Sequence, residues 1–435
     1  MTNVRPVNVS LLGCGTVGGG VLRLLHENAR YLESRIGAPL VVRKVLVRDV
    51  EKDRVPECDR AWLTTRPEDV LDDPETDVVV EVMGGEEPAF GYVKRVLERR
   101  RGVVTANKLL LAKRGPELVD LAVAAGVDLA FEASVGGGIP IIRTLREALT
   151  SDWVERLVGI VNGTCNYVLT RMRREGKSFA DVVADAQRLG YAEADPSLDV
   201  DGHDAAQKLV VLAMLAFGAR VDSGAVPTQG IRDIDELDHR FAERFGFVVK
   251  HLAIGRDHGE KVELRVHPAL VPNTSVLANV SGVLNAISVH GRALGPCLLS
   301  GRGAGDLPTA VSVVADLVDV ARAARAGASG LSTRGIQLAA RPQLPLDEVS
   351  TRFYLRFYVS DQPGVLAAIA GALGEQGVSI EQMVQDGRAQ EPGSSVDIVM
   401  ITHEASWGGV RRALAAVDAR DFVTRKSKLM PIEEP

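Results

Sequence analysis

Residues 7–32 read VNVSLL, then GCGTVGGG, then VLRLLHENARYL. This is a short apolar run, a glycine turn and a helical pattern. No other stretch narrows the fold as much. A strand that passes straight into a helix commits the chain to a βα unit, and the crossover returns it beside a parallel neighbour. Gly13, Gly15 and Gly18 fit the spacing GxGxxG at this junction. Such glycines let the backbone approach a pyrophosphate, whose charge the helix N-terminus stabilises. The spacing alone also describes a tight βα turn with no ligand; its position between a strand and a helix favours dinucleotide binding. Thr16 and Val17 fill the turn, and Cys14 reads as a small residue within it.

The same alternation continues. Apolar runs at 40–47, 77–83, 101–106 and 127–133 alternate with helical patterns at 89–100 and 117–126. Short apolar strands separated by helices predict an α/β domain with a doubly wound parallel sheet. The second strand ends at Arg48-Asp49. An acid there binds the ribose hydroxyl of NAD, whereas an arginine pairs with the 2′-phosphate of NADP. Arg48 favours NADP; Asp49 leaves NAD open.

From about residue 140 helices and strands mix, which predicts an α+β substrate domain. Residues 309–325 carry apolar positions at helical spacing, and the stretch 337–350 is the best linker candidate. The remainder reads strand, helix, strand, strand (394–404), helix, strand, a βαββαβ order over roughly 80 residues. The expected division is 1–140, completed by about 305–336, then 141–304, then 350–435.

Bulk properties exclude several classes. The net charge is −6 and no domain is strongly basic, which argues against nucleic acid. Only 4% of residues are aromatic, too few for a base-stacking platform. No apolar run reaches the roughly 18 residues of a membrane span, and no signal peptide is expected ahead of the first strand. Cys14, Cys58, Cys165 and Cys297 form no CxxC pair, which fits a reducing cytoplasm and gives no zinc site.

The chemistry concentrates in YAEADPSLDVDGHDAAQK, residues 191–208. Glu193, Asp195, Asp199, Asp201 and Asp204 precede Lys208, which opens the apolar run LVVLAMLAF. If both are helical, Asp204 and Lys208 share a face at i, i+4. Carboxylates beside a lysine suit a site that binds an ammonium group and moves a proton. By itself the segment fits equally well a calcium-like acidic loop or a helix N-terminus with acidic capping.

Taken together, GCGTVG (13–18), TANK (105–108), FEASVGGGIP (131–140), NGTCNY (162–167), the 191–208 segment, GRGAGDLPTA (301–310) and DQPGVLAAIA (361–370) resemble the monofunctional homoserine dehydrogenases that carry a C-terminal ACT domain. The motifs run in the family's order over nearly the whole chain, and no fused aspartokinase region is expected. The resemblance implies reversible hydride transfer between NAD(P)H and L-aspartate 4-semialdehyde, giving L-homoserine. It implies Lys208 as proton donor, Lys108 on the nicotinamide side, and Asp204 orienting the lysine. It gives Glu193 and Asp199 to the substrate's ammonium and reacting ends, with Tyr191 nearby, and Asn162, Gly163 and Thr164 to its carboxylate. Asp195 and Asp201 match no such role and read as capping or solvated. The resemblance further implies a monovalent cation, Na⁺, at Glu132, Val135, Gly137 and Ile139, and Gly305 near the cofactor. Asp306 departs from the family, where a neutral residue usually stands. The ACT module implies pairing between modules, a homodimer or tetramer, and feedback inhibition by L-threonine. Two other readings are another Rossmann dehydrogenase acting on a different amino aldehyde and a non-catalytic sensor. The Asp204–Lys208 pair argues against the sensor, which has no use for it.

Overall fold

The structure is a computed structural model that describes residues 4–386 and 395–434. The first residue of the strand expected at 394–404 lies outside the described residues. The chain forms two compact units: 1–163, 204–226 and 283–341 make the first, and 164–203, 227–282 and 342–435 the second.

The first unit contains a six-stranded sheet, parallel throughout. Across it run Leu63–Thr64, Leu40–Leu46, Val7–Leu12, Val78–Glu81, Gly102–Thr105 and Leu129–Ala130. This is the Rossmann order, whose switch point falls between Val7–Leu12 and Val78–Glu81, where ligands bind at the strand C-termini. The central strands are apolar at nearly every position because helices cover both faces. One of those helices comes from far along the sequence. Asp306–Arg325 buries Ala310, Val313 and Leu317 in the same core as Val9, Leu11 and Val21. The pattern at 21–32 reads as one helix, but the chain forms two, Thr16–Glu27 and Ala29–Ile36, broken at Asn28. Asparagine competes for backbone hydrogen bonds and favours such ends. The unit also holds an antiparallel trio, Gly295–Arg302, Leu284–Gly291 and Val154–Ile160.

In the second unit the strands Phe247–His258 and Lys261–Pro272 form a long hairpin. The expected βαββαβ module follows: Ser350–Ser360, helix Val365–Glu375, Ile380–Asp386, Ser395–Thr402, helix Trp407–Asp418 and Val423–Ile432. Its antiparallel order places Ser350–Ser360 and Ser395–Thr402 in the middle, and both helices pack on one apolar face through Ile369, Leu373, Val410 and Val417.

A buried histidine in this unit gives a stability prediction. His239 lies on the helix Glu236–Arg244, is 4% exposed, and its ring nitrogens have no hydrogen-bond partner among the described residues. Burial holds the imidazole down, to about 4. The unfolded chain therefore takes up a proton near pH 6.5 that the folded chain refuses until about pH 4. Stability is complete above pH 6.5 and is lost as pH falls toward 4, by on the order of 3 kcal/mol. In thermal melts between pH 7 and 4, His239→Leu flattens the decline; an unchanged slope contradicts this account.

Candidate functional site

The glycine turn has a separate reason at each position. Gly13 has φ 105°, a conformation that side chains disfavour, and a Cβ there would meet Val82 O at 3.0 Å. At Gly18 a Cβ would lie 2.6 Å from Gly13 O, so only glycine lets the helix start this close to the strand. Gly15 has nothing within 4 Å of such a Cβ, which leaves open space in front of the helix N-terminus. Thr16 and Val17 open that helix. A cavity of about 560 Å³ lies here, lined among others by Gly13, Gly15, Arg48, Asp49, Lys52 and Arg54. Arg54 braces the turn, donating to Cys14 O at 2.5 Å and Asp49 O at 2.8 Å. The Asp49 carboxylate accepts Glu51 N–H at 2.9 Å, and Arg48 and Asp49 are both exposed.

Gly305, at φ 129°, caps the helix Asp306–Arg325. This helix packs on Thr16–Glu27 so tightly that a Cβ on Gly20 would come 3.0 Å from Asp306 O. Asp306 itself is the helix's first residue, where a negative charge is favourable; that accounts for an acid at this position.

At the next strand ends the sequence left a residue unread. Glu81 is fully buried and accepts from Met83 N at 2.8 Å, Thr105 Oγ1 at 2.5 Å and Asn107 Nδ2 at 3.4 Å. Burial pushes its carboxyl up, against these donors. An acid inside the apolar run DVVVEVM was the available signal. Asn107 caps the helix Lys108–Ala125 by accepting Leu110 N–H at 3.1 Å, and donates to Gly85 O at 2.7 Å. TANK is thus a strand end, a cap and a lysine fixed at the first helical position.

That lysine meets the opening of a second helix. His203–Ala216 is apolar nearly all round and buried, and its first turns carry Asp204 and Lys208. Asp204 is 1% exposed. Lys208 Nζ donates to Asp204 Oδ2 at 2.8 Å and to Val161 O at 2.7 Å. The Lys108 ammonium pairs with the other carboxylate oxygen. Asn162 Nδ2 donates to Asp204 Oδ2 at 2.8 Å, and Asn285, unread in the sequence, donates to Val161 O at 2.9 Å. Burial alone would raise the Asp204 carboxyl, but the Lys208 and Lys108 ammoniums outweigh it and hold it well below the usual carboxylate range. One permanent anion therefore orients two cations. Gly163 lies against Val283, where a Cβ would approach the carbonyl to 3.0 Å.

Within the second unit, Thr164 Oγ1 lies 3.0 Å from Tyr191 O and 3.2 Å from Asp199 Oδ2, and Cys165 Sγ lies 3.2 Å from Asp199 O. Thr164, Tyr191 and Asp199 are thus brought together, while the Glu193 side chain is exposed. Asp195 caps its own turn, accepting Ser197 N–H at 3.1 Å. Asp201 is the C-terminal cap residue of the helix Ser197–Val200, and its carboxylate forms an ion pair with Arg232.

In the loop FEASVGGGIP, Gly136 and Gly137 have positive φ. Both oxygens of the Glu132 carboxylate are taken by backbone N–H groups, Ile142 and Arg143, each at 2.8 Å. Gly137 O accepts from Ser312 Oγ at 2.6 Å and Ile139 O from Ile141 N at 2.8 Å. No group of three or more His, Cys, Asp or Glu able to hold a metal occurs among the described residues. No described helix is long and apolar enough to cross a membrane.

Comparison with known proteins agrees with this construction. Residues 13–132 match the model of the homoserine dehydrogenase NAD binding domain, 140–318 that of homoserine dehydrogenase, and 353–419 that of the ACT domain. A homoserine dehydrogenase of Neisseria gonorrhoeae is 40% identical over 434 residues, 99% of each chain. The crystal structure of a homoserine dehydrogenase from Thiobacillus denitrificans superposes with TM-score 0.93 at 44% identity, covering 99% of each chain. A hyperthermophilic archaeal homoserine dehydrogenase in complex with NADPH superposes with TM-score 0.61 at 28% identity, over 73% of this chain and 98% of its own. With a Rossmann sheet, a buried carboxylate paired with two lysines and relatives matched from end to end, the chain belongs to the homoserine dehydrogenase family of NAD(P)-dependent oxidoreductases and carries a C-terminal ACT domain.

Proposed function

We propose that this chain reduces L-aspartate 4-semialdehyde to L-homoserine, reversibly, with Lys208 as the proton donor. The observation that carries the assignment is the buried Asp204 carboxylate gripping Lys208 and Lys108 together. A bound nicotinamide cofactor supplies the hydride. As negative charge grows on the aldehyde oxygen, Lys208 delivers a proton to it and Lys108 stabilises the charge, while Asp204 keeps both amines aimed. In the reverse direction Lys208 accepts the hydroxyl proton. Asn162, Gly163 and Thr164 serve the substrate carboxylate with amide and hydroxyl donors, and Glu193 and Asp199 serve its ammonium and reacting ends. Oxidation of NADPH on mixing enzyme with the semialdehyde tests the activity; no turnover with this aldehyde removes the proposal.

We assign NADP as the preferred cofactor. Arg48 and Lys52 line the same cavity and offer guanidinium and ammonium groups to a 2′-phosphate, while Asp49 accepts the Glu51 N–H. The archaeal relative bound to NADPH supports the same choice. Arg48→Ala therefore raises KM for NADPH at least tenfold and changes KM for NADH less than threefold, as steady-state kinetics with each cofactor will read. Equal effects on both would contradict it.

The carbonyls of Glu132, Val135, Gly137 and Ile139 are proposed to hold Na⁺, a hard ion suited to oxygen ligands; a carbonyl already accepting one hydrogen bond keeps a second lone pair. Gly305 borders the cofactor. The ACT domain is proposed to bind L-threonine and to pair with a second copy in a dimer or tetramer, with the enzyme working in the cytoplasm.

A further inference from the structure

We infer that Arg232 is a positioning residue for the substrate-binding acid Asp199, and that the ACT strands hold it in place. This rests on the reading of Asp199 as a substrate ligand. Asp199 sits on the short helix Ser197–Val200, which has too few hydrogen bonds of its own to be rigid. The neighbouring segment supplies the missing constraint. Arg232 clamps the stretch from both ends: its guanidinium pairs with both oxygens of Asp201 and donates to Ser197 Oγ at 3.0 Å. Ile231 N donates to Val200 O at 2.8 Å. Gly230 lies so close that a Cβ there would fall 2.2 Å from Val200 O and 2.5 Å from Asp201 Cα. The two segments are therefore in direct backbone contact.

The other end of the clamp is anchored in the ACT module. Asp235 and Asp238 cap the helix Glu236–Arg244 with reciprocal backbone bonds, which fixes the residues just after Arg232. Both carboxylates are then gripped from the module's strands Ser350–Ser360 and Val423–Ile432. Arg356 donates to Asp235 Oδ1 at 2.7 Å and Asp238 Oδ1 at 3.1 Å, and Tyr354 OH donates to Asp238 Oδ1 at 3.1 Å. Lys428 pairs with Asp238 and donates to Asp233 O at 2.6 Å, one residue from Arg232. Arg356 and Asp238 are 2% and 0% exposed, so the contact between them is shielded from solvent and little screened. A movement of the strands Ser350–Ser360 or Val423–Ile432 is thereby passed through Asp233–Asp238 to Arg232, and from Arg232 to the two residues flanking Asp199. The module regulates by changing the affinity for the amino-acid substrate rather than the hydride step.

Steady-state oxidation of homoserine at saturating NADP⁺, with the full-length enzyme, tests this. Asp199→Asn is the reference and raises KM for homoserine at least tenfold. Arg232→Gln, at a half-exposed position, raises the same KM at least fivefold, with kcat and KM for NADP⁺ within a factor of three of wild type. Asp201→Asn reproduces it, and Arg232→Lys, which keeps the charge but not the fork, falls between. Lys428→Met raises the KM in the same direction, and combining it with Arg232→Gln adds little, because both act on one path. Lys428→Arg gives a smaller shift of the same sign should the methionine variant fail to fold. A raised KM in Asp199→Asn with an unchanged KM in Arg232→Gln overturns the inference while leaving Asp199 as a ligand. Effects of Arg232→Gln and Lys428→Met that multiply overturn the link to the ACT strands. An unchanged KM in Asp199→Asn removes the ligand reading and the inference with it.

Discussion

Lys208→Ala lowers kcat for aldehyde reduction by on the order of 10³-fold, within the range that one positioned general acid contributes, and leaves cofactor affinity nearly intact. The size follows from where the amine sits. Lys208 is 8% exposed and held by Asp204 and Val161 O, so water has little room to replace it as a donor. Methionine and glutamine keep the packing without an acid and lose as much rate. Lys208→Arg also fails, since a guanidinium keeps its charge and cannot release a proton at any working pH. The cofactor turn is built from Gly13–Gly18 and braced by Arg54, whereas Lys208 lies on the separate helix His203–Ala216. Cofactor titration of the variant, followed by fluorescence, therefore reads a dissociation constant within about threefold of wild type. A variant with kcat within tenfold of wild type would refute the assignment. A variant that lost rate and cofactor affinity together would point to a folding defect instead.

Asp204→Asn is expected to cost both stability and rate. The carboxylate pairs with both Lys208 and Lys108. Its loss leaves two ammonium groups close together in a poorly solvated place. Removing one partner of a buried ion pair costs about 3–5 kcal/mol, and the exposure of the Lys108 side chain, 34%, puts this case near the lower end. The pH dependence has a definite sign. The folded-state carboxyl is held below the usual range by the two lysines, whereas an unfolded aspartate titrates near 3.9. The contact's stabilisation is therefore fully present above about pH 4 and fades as pH falls further, through the folded value. The difference in melting temperature between wild type and Asp204→Asn should be largest at neutral pH and shrink below pH 4. The rate should drop on the order of 10²-fold, because both amines lose their aim. A melting difference independent of pH would mean that the carboxylate is not the group responsible.

Much of this molecule is legible in its sequence, for reasons that differ from part to part. Strand-turn-helix patterning around Gly13–Gly18 depends only on local sterics and period, so the parallel sheet and the turn could be read directly. Asp204 and Lys208 are one helical turn apart, so their contact follows from helix geometry. Contacts that depend on distant chain segments were hidden. Gly303 is glycine because a Cβ there would lie 2.0 Å from Asn285 Nδ2, a neighbour that no local pattern reveals. Asp201 read as capping or solvated because its partner, Arg232, is 31 residues away. Glu81 is hidden inside an apolar run, where a lone acid is costly unless hydrogen-bonded; Thr105 and Asn107 meet that cost from another strand end. The resemblance to a family supplied the roles of Glu193, Asp199 and the cation loop, none of which residue chemistry alone would have assigned.

The measurement that bears most directly on the mechanism is a crystal structure of the enzyme with NADP⁺ and homoserine bound. The account predicts the Lys208 amine within about 2.6–3.2 Å of the substrate hydroxyl oxygen, with Asp204 still held between Lys208 and Lys108. A hydroxyl more than about 4 Å from that amine, beyond hydrogen-bond reach, or bonded to a different acid, would contradict it.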